Sequence, residues 1–452
     1  MNIIVIGCGK IGRCLIESLA SEGHNVIAID PNPTVISEIT NLYDVMCVCG
    51  SGTDSDTLNE ANVEKAELVI SVTGSDEFNM LACFLAKRMG AKNTVARIRN
   101  PEYNDNSLGF LKYHLDLSVP INPEKLAARE LFNVLKFPGA LNIETFSTRN
   151  FEMVELKLKS DSALDGMKLI DVRKQYPGNY LVCAVGRDGE TIIPDGNFVL
   201  KSGDKIGITA QPAEITRLLK KLGHLKKQAR TVMILGASKT AYYLAKLLIS
   251  SGVSVKIIEL NETRCKEFSN ALPEAVMING DGTSQELLLE EGIDKVDGFV
   301  ALTGMDEQNI LVSIVASNHK VPKVITKVNR TELAQMAEKL GLDSIVSPKK
   351  TISNVICRYA RALENSMGSN VETLYKIMDG SAEALEFNVG QVFKAADVQL
   401  KDISLKQGVL IAGIIRGRKT IIPSGNDAIL QGDKVIVVAA GKKLSDLSDI
   451  IA

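Results

Sequence analysis

The chain carries 452 residues, 45% of them hydrophobic and 23% charged, with a formal net charge of −2. At about 100–200 residues per domain, this length predicts two to four domains. So balanced a charge excludes a nucleic-acid binder working by bulk basicity and gives no pull toward anionic membranes. No apolar run approaches the roughly 20 residues that span a bilayer, and the N-terminus runs straight into a strand and a glycine turn, so no signal peptide is expected.

Ile3 to Ile6 form an apolar, β-branched run, the pattern of a buried strand. Gly7, Gly9 and Gly12 follow at GxGxxG spacing, then a helical pattern with Ile11, Leu15, Ile16 and Leu19 on one side. A second strand, Asn25 to Ile29, ends in Asp30. Gly7 permits a tight turn, Gly9 lets the backbone approach a pyrophosphate, and Gly12 lets the helix pack on the strand. The free N–H groups and dipole at the helix start then favour phosphate, while Asp30 suits ribose hydroxyls. Strand, turn, helix, strand and acid together point to a dinucleotide crevice; the alternative is an empty crevice of the same fold.

Further strands fall near 45–49, 67–72, 93–98 and 115–119, with helical patterns near 10–22, 33–41, 54–61, 76–89 and 101–110. Strands alternating with helices predict a parallel sheet covered on both faces, here in a doubly wound order. Next, Glu124 to Lys136 has helical spacing, with Leu126, Leu131, Val134 and Leu135 apolar and Phe137, Pro138 and Gly139 ending it. Such a helix packs on another subunit, the favoured reading, or back onto its own sheet. MVELKL, YLVCAVGR, TIIP and DKIGIT then read as strands, GRDGE at 186–190 as a hairpin turn and Pro212 to Leu222 as a helix.

The rest of the chain repeats this pattern. IIVIG at 3–7 recurs as VMILG at 232–236, GSGT at 50–53 as GDGT at 280–283, and VTGSDEFN at 72–79 as LTGMDEQN at 302–309. Asp30 pairs with Glu259 and Arg97 with Lys327; TIIPDGN at 191–197 recurs as TIIPSGN at 420–426, and SGDKI at 202–206 as QGDKV at 431–435. The expected fold is α/β, two Rossmann-like doubly wound parallel-sheet domains, each followed by a small α+β domain. The domains are placed at 1–120, 151–225, 230–347 and 381–452, with crossover helix linkers at 121–150 and 348–380.

Cys8, Cys14, Cys47, Cys49, Cys83, Cys183, Cys265 and Cys357 form no CxxC pair, which predicts reduced cysteines in a cytosolic core. His24, His114, His224 and His319 lie too far apart for metal-ligand spacing, so no metal is expected.

GCGKIGRCLIESL with Asp30, then GSGTD, SVTGSDEFNMLAC and VARI, resembles the RCK_N (KTN) domain, and TIIPDGN followed by SGDKI resembles RCK_C. The doubled order resembles the family of peripheral subunits of bacterial and archaeal Trk potassium uptake systems, over essentially the whole chain. The resemblance implies a regulator rather than an enzyme: a cytoplasmic gating ring on the inner face of the membrane, under a potassium-translocating subunit of the TrkH or TrkG kind. It implies NAD(H) or ATP/ADP as regulatory ligands, and a homotetramer whose doubled chains supply the ring's N lobes. Single-repeat relatives bind cyclic di-AMP between paired RCK_C domains, which would place Ile192 to Pro194 and Ile421 to Pro423 near such a site; an edge strand ending in proline is the alternative.

Carried onto this sequence, Gly7, Gly9, Lys10, Ile11 and Gly12 form the phosphate loop, with Lys10 either pairing with phosphate or merely solvated. Asp30 holds the ribose, and with Pro31 and Asn32 rather than an arginine after it, NADP is not expected. Gly50, Ser51 and Thr53 lie beside adenine, Ser51 standing where the second half has Asp281. Thr73, Gly74, Asp76 and Glu77 border the switch point, Asp76 also suiting a helix N-cap. Arg97 reaches ligand phosphate or forms a salt bridge. In the second half the loop reads GASKTA, with Ser238 and Ala241 replacing glycines, while Glu259 and Asp281 still suit an adenosine. That site is expected to bind more weakly, to bind a different nucleotide, or to be structural. An NAD-dependent oxidoreductase is the competing reading; it needs an acid/base group in a substantial second domain, whereas the partner domains here are short and His224 has no counterpart in the repeat.

Overall fold

The computed structural model describes residues 1–452 except 102, 104, 137–139, 147–150, 160, 224–228, 366–370, 391–392, 443 and 445. The expected helix stop at Phe137 to Gly139, and His224, therefore lie outside the described residues.

The chain opens with β1 (Asn2–Ile6), α1 (Lys10–Ser21), β2 (Asn25–Asp30), α2 (Pro33–Leu42), β3 (Met46–Cys49) and α3 (Ser55–Glu60). It continues with β4 (Leu68–Ser71), α4 (Asp76–Arg88), β5 (Thr94–Arg97), α5 (Asp105–His114) and β6 (Val119–Ile121). These strands form a parallel 6-stranded sheet in the order β3-β2-β1-β4-β5-β6. The order reverses between β1 and β4, so a crevice opens there at the carboxyl ends of the strands. The strands are apolar because helices cover both faces: every residue of β4 is buried, as are Ile3 to Ile6 of β1.

α5 and β6 begin later than the periodicity predicts. Leu115, Leu117 and Val119 alternate like a strand, but Asp116 is left-handed (φ 50°) and Leu117 N donates to Lys112 O at 3.0 Å. That bond closes the end of α5, and Leu117 packs with Met80, Cys83 and Ile98 instead of entering the sheet. Pro120 is accommodated because β6 is an edge strand.

A crossover helix α6 (Pro123–Lys136) leads to β7 (Asn142–Thr145), β8 (Glu152–Lys157), α7 (Leu169–Gln175), β9 (Tyr180–Arg187), β10 (Glu190–Ile192), β11 (Lys205–Ala210) and α8 (Pro212–Lys221). The strands form an antiparallel sheet, β10-β9-β11-β8-β7. Asp188 and Gly189 both have positive φ, so GRDGE is a tight hairpin turn. β7, inside the stretch read as linker, pairs with β8.

The second repeat places β12 (Thr231–Leu235), α9 (Lys239–Ser250), β13 (Ser254–Glu259), α10 (Glu262–Ala271), β14 (Val276–Asn279), α11 (Gln285–Glu290), β15 (Gly298–Ala301), α12 (Asp306–Asn318), β16 (Lys323–Lys327), α13 (Thr331–Lys339) and β17 (Ile345–Val346) in the same doubly wound order. A second crossover helix, α14 (Pro348–Asn365), leads to β18 (Val371–Ile377), β19 (Ala382–Asn388), β20 (Val409–Arg416), β21 (Lys419–Ile421) and β22 (Lys434–Ala440).

The chain divides into two compact units, and the division does not follow the repeat. One unit combines Met1–Arg129 with Ser347–Ala360. Within it, α14 lies along α1: Ser353 Oγ sits 2.8 Å from Ser18 Oγ, and Cys14 Sγ faces Lys349 O. The other combines Glu130–Val346 with Arg361–Ala452. Within it, Leu135 of α6 packs over Gly298, where any Cβ would meet it at 3.0 Å, and the buried Lys323 donates to Ala140 O at 2.7 Å. The start of α6 thus keeps to its own lobe through Glu124, while Leu135 reaches the second repeat's parallel-sheet lobe and α14 the first repeat's.

The two small antiparallel lobes share one core. Phe151, Met153 and Cys183 of the first cluster with Tyr375, Ile377 and Ile436 of the second. Ile193 and Ile422 of the two IIP segments join it, behind edge strands β10 and β21. Each lobe has a small core of its own, and this shared face adds to the burial that a unit of about 70 residues can reach.

Candidate nucleotide sites

The first crevice is built around the turn after β1. Gly7 has φ +92°, and a Cβ on it would stand 2.8 Å from Thr73 Cγ2. A Cβ on Gly12 would stand 1.9 Å from Gly7 O, so only glycine lets α1 start this close to the strand. Around Gly9, by contrast, nothing lies within 4 Å of a Cβ position. Gly9 is also the N-cap of α1, and no side chain caps the helix. No side chain therefore takes the N–H groups of the first turn, and the space at Gly9, at the positive end of the helix dipole, is open. Lys10 is exposed beside them, Ile11 is half-buried, and Arg13 braces the loop through Cys8 O at 3.2 Å and an ion pair with Glu38.

Asp30 ties the second strand to this loop. Its carboxylate oxygens accept from Cys8 N at 2.8 Å and Asn32 N at 3.0 Å. Burial, and next the charge of Asp30, push the Cys8 thiol up to about 12, so no thiolate opposes a bound anion. Gly50 N donates to Asp30 O at 3.1 Å, which sets the β3 turn against the same wall. There Ser51 Oγ lies 2.9 Å from Thr53 Oγ1 and accepts from Thr53 N at 3.3 Å. Asp281 does the same work in the second lobe, accepting from Thr283 N at 2.9 Å and Thr283 Oγ1 at 2.7 Å. These bonds, the backbone one first, hold its carboxyl below the ordinary value.

Gly7, Gly9, Gly12, Asp30, Gly50, Ser51, Thr53, Thr73 and Gly74 thus lie together at the carboxyl ends of β1, β2, β3 and β4. Asp76 does not face the crevice. Asp76 is buried and takes Arg99 N at 2.8 Å and Asn100 N at 2.7 Å, while the N-cap of α4 is Ser75. Glu77 is exposed and held by Ser75 Oγ and Tyr103 OH. Arg97 donates to Thr73 O at 3.2 Å and lies 3.7 Å from Glu124 of α6, a salt bridge rather than a free cation. Burial, more than the neighbouring Arg99, lowers its pKa.

Sequence reasoning missed Asn79. It is fully buried, and its Oδ1 accepts from Thr73 N (2.8 Å), Thr73 Oγ1 (2.7 Å) and Ser71 Oγ (2.9 Å). Its Nδ2 donates to Arg97 O at 2.9 Å, so one amide fixes the turn that closes the crevice. Asn309 repeats this with Thr303 and Lys327 O. Its signal was recurrence: it ends both copies of the eight-residue match at 72–79 and 302–309.

The second lobe keeps the frame and changes the lining. Glu259, one methylene longer than Asp30, accepts from Ala237 N at 2.7 Å and Asn261 N at 2.9 Å. Ser238 occupies the position of Gly9, and its Oγ accepts from Ala241 N at 3.2 Å, so α9 caps itself. A cleft of about 250 Å³ lies here, lined by Ser238, Glu259, Arg264, Asp281, Thr303 and Gln308 among others. Among the described residues no cluster of three His, Cys, Asp or Glu side chains is placed to hold a metal, and no helix is long and apolar enough to cross a membrane.

The architecture defines a tandem protein with two Rossmann-type crevice lobes, each trailed by a small antiparallel lobe. Family models agree: the TrkA-N domain matches residues 3–109 and 232–348, and the TrkA-C domain residues 153–223 and 394–452. The chain is 33% identical to a Trk system potassium uptake protein TrkA homolog of Archaeoglobus fulgidus over 453 residues, 100% of both chains. It is 31% identical to the Trk system potassium uptake protein TrkA of Vibrio alginolyticus, over 100% of this chain and 98% of that one. The chain belongs to the TrkA family. It is also similar in fold to the GsuK channel bound to NAD (TM-score 0.64, 18% identity, covering 97% of this chain and 77% of that chain) and to the GsuK RCK domain (TM-score 0.63, 18% identity, 97% and 92%).

Proposed function

We propose that the chain is the nucleotide-sensing regulatory subunit of a Trk-type potassium uptake system, acting from the cytoplasmic face on a potassium-translocating membrane subunit. The observation that carries this reading is the uncapped N-terminus of α1 opening onto empty space at Gly9, beside Asp30. NAD(H) or ATP/ADP would lay its phosphates on the first turn of α1 and its ribose on Asp30. Whole-length membership in a family named for potassium uptake supports regulation over turnover. The ligand spans the loop after β1 and the Thr73 turn, so it shifts the protein between states by its differential affinity for them. A homotetrameric ring would place such crevices around the transport partner.

The test is calorimetry of NADH, NAD, ATP and ADP on the full chain, with cofactor oxidation followed in parallel. Binding without turnover is expected, weakened by Asp30→Ala while the oligomer seen by light scattering stays the same. Steady consumption of NADH would overturn the regulatory reading, and unchanged affinity in Asp30→Ala would overturn the placement of the ribose.

A further inference from the structure

The second crevice keeps Lys239 where the first has Lys10 and adds a cation at its ribose end. At the phosphate end, Ser238 Oγ takes the Ala241 N–H, whereas no side chain caps α1 at Gly9. At the ribose end, Arg264 stands on the first turn of α10, five residues beyond Glu259, and lines the same cleft. Its side chain is exposed, and among the described residues its guanidinium has no ion pair or hydrogen bond. Glu259 accepts two backbone N–H groups, as Asp30 does in the first lobe, and Asp281 lines the same cleft, so Arg264 is the cation there beside two carboxylates. The repeat offset that pairs Asp30 with Glu259 pairs Arg264 with Val35, so the first crevice has no such cation.

In Rossmann crevices an acid binds the ribose 2′-OH, whereas a nearby arginine accommodates a 2′-phosphate, through two parallel N–H···O bonds from the planar guanidinium. We infer that the second crevice is a separate site for an adenosine phosphorylated on its ribose 2′ edge, held by Arg264. This rests on reading the crevices as nucleotide sites. The duplicated chain then discriminates two nucleotide classes, with 5′-pyrophosphates at the first crevice and 2′-phosphates at the second.

The test compares 2′-AMP with 5′-AMP, equal in charge and different only in phosphate position, by calorimetry on the full-length Asp30→Ala chain. 2′-AMP should bind at least about tenfold more tightly, the scale of one charge-assisted contact. Arg264→Gln, an exposed substitution, should remove that preference and leave 5′-AMP as it was. Equal affinities, a preference that survives Arg264→Gln, or no binding of either probe would each overturn the proposal. NADH titrated into the unaltered chain reports the first crevice separately. If NADH binds and 2′-AMP does not, the assignment of Arg264 fails alone; if NADH does not bind, the nucleotide reading itself fails.

Discussion

Gly9→Ser sets ligand affinity and stability against each other. Gly9 sits at φ −70°, ψ −167°, extended backbone that serine adopts freely, and its Cβ would meet nothing within 4 Å. The new hydroxyl would cap α1 as Ser238 caps α9. A serine N-cap exceeds glycine by only a few tenths of a kcal/mol, so the fold should be as stable or slightly more so. The same hydroxyl stands where phosphate must approach and takes one of the N–H groups that would bind it. Losing one charge-assisted hydrogen bond costs about 1.5–3 kcal/mol, or about tenfold to a hundredfold in affinity. The assay is paired: melting temperature without ligand, and NADH affinity by calorimetry. A variant that melts as before yet binds within about twofold of the parent would refute the placement of phosphate on α1.

Two further outcomes are expected. Asn79→Ala removes the acceptor for Thr73 N and Ser71 Oγ and the donor to Arg97 O; unpaired buried groups of this kind cost about 2–5 kcal/mol together. An earlier urea transition should report it, and a shift under about 0.5 kcal/mol would mean that the amide does not hold the turn. Asp281, exposed and bonded by Thr283, has its folded pKa depressed below the ordinary carboxylate value. Its contribution is therefore present above the unfolded value near 4 and is lost as pH falls through the depressed folded value. The melting difference between the parent and Asp281→Asn should shrink between pH 5 and pH 3; a gap constant across that range would show that the charge plays no part.

Sequence alone displayed the duplicated fold because its signals are local. Glycine spacing, the acids at Asp30 and Glu259, and the offset between repeats all act within one βαβ unit. The doubly wound order follows from strands alternating with helices, and the observed sheets have it. Contacts between distant residues were hidden. Glu124 lies far along the chain from the Arg97 it neutralises, and nothing in helical spacing tells a salt bridge from a ligand cation. Asp76 carries the residue type of a ligand contact or an N-cap, yet the backbone of Arg99 and Asn100 claims it. Ser51 and Asp281 look unlike each other but make the same local turn, because a hydroxyl and a carboxylate both accept an N–H two residues on. The apolar alternation at Leu115 to Val119 misread a helix end, since period two also arises where a left-handed residue reverses the chain.

The exchange of α6 and α14 makes the internal duplication something that cannot be undone by cutting. A chain severed at the repeat boundary would leave α1 without the helix that lies along Cys14 and Ser18, and β15 without Leu135 over Gly298. A lone repeat could cover those faces only with its own helix supplied by a second copy, as a reciprocally swapped pair. The two-repeat chain is in this sense a swapped dimer made covalent, and once the partners are fused their crevices are free to diverge. Gly9 and Ser238 occupy equivalent positions in one molecule, so the first lobe can leave the first turn of α1 uncapped while the second caps its own α9.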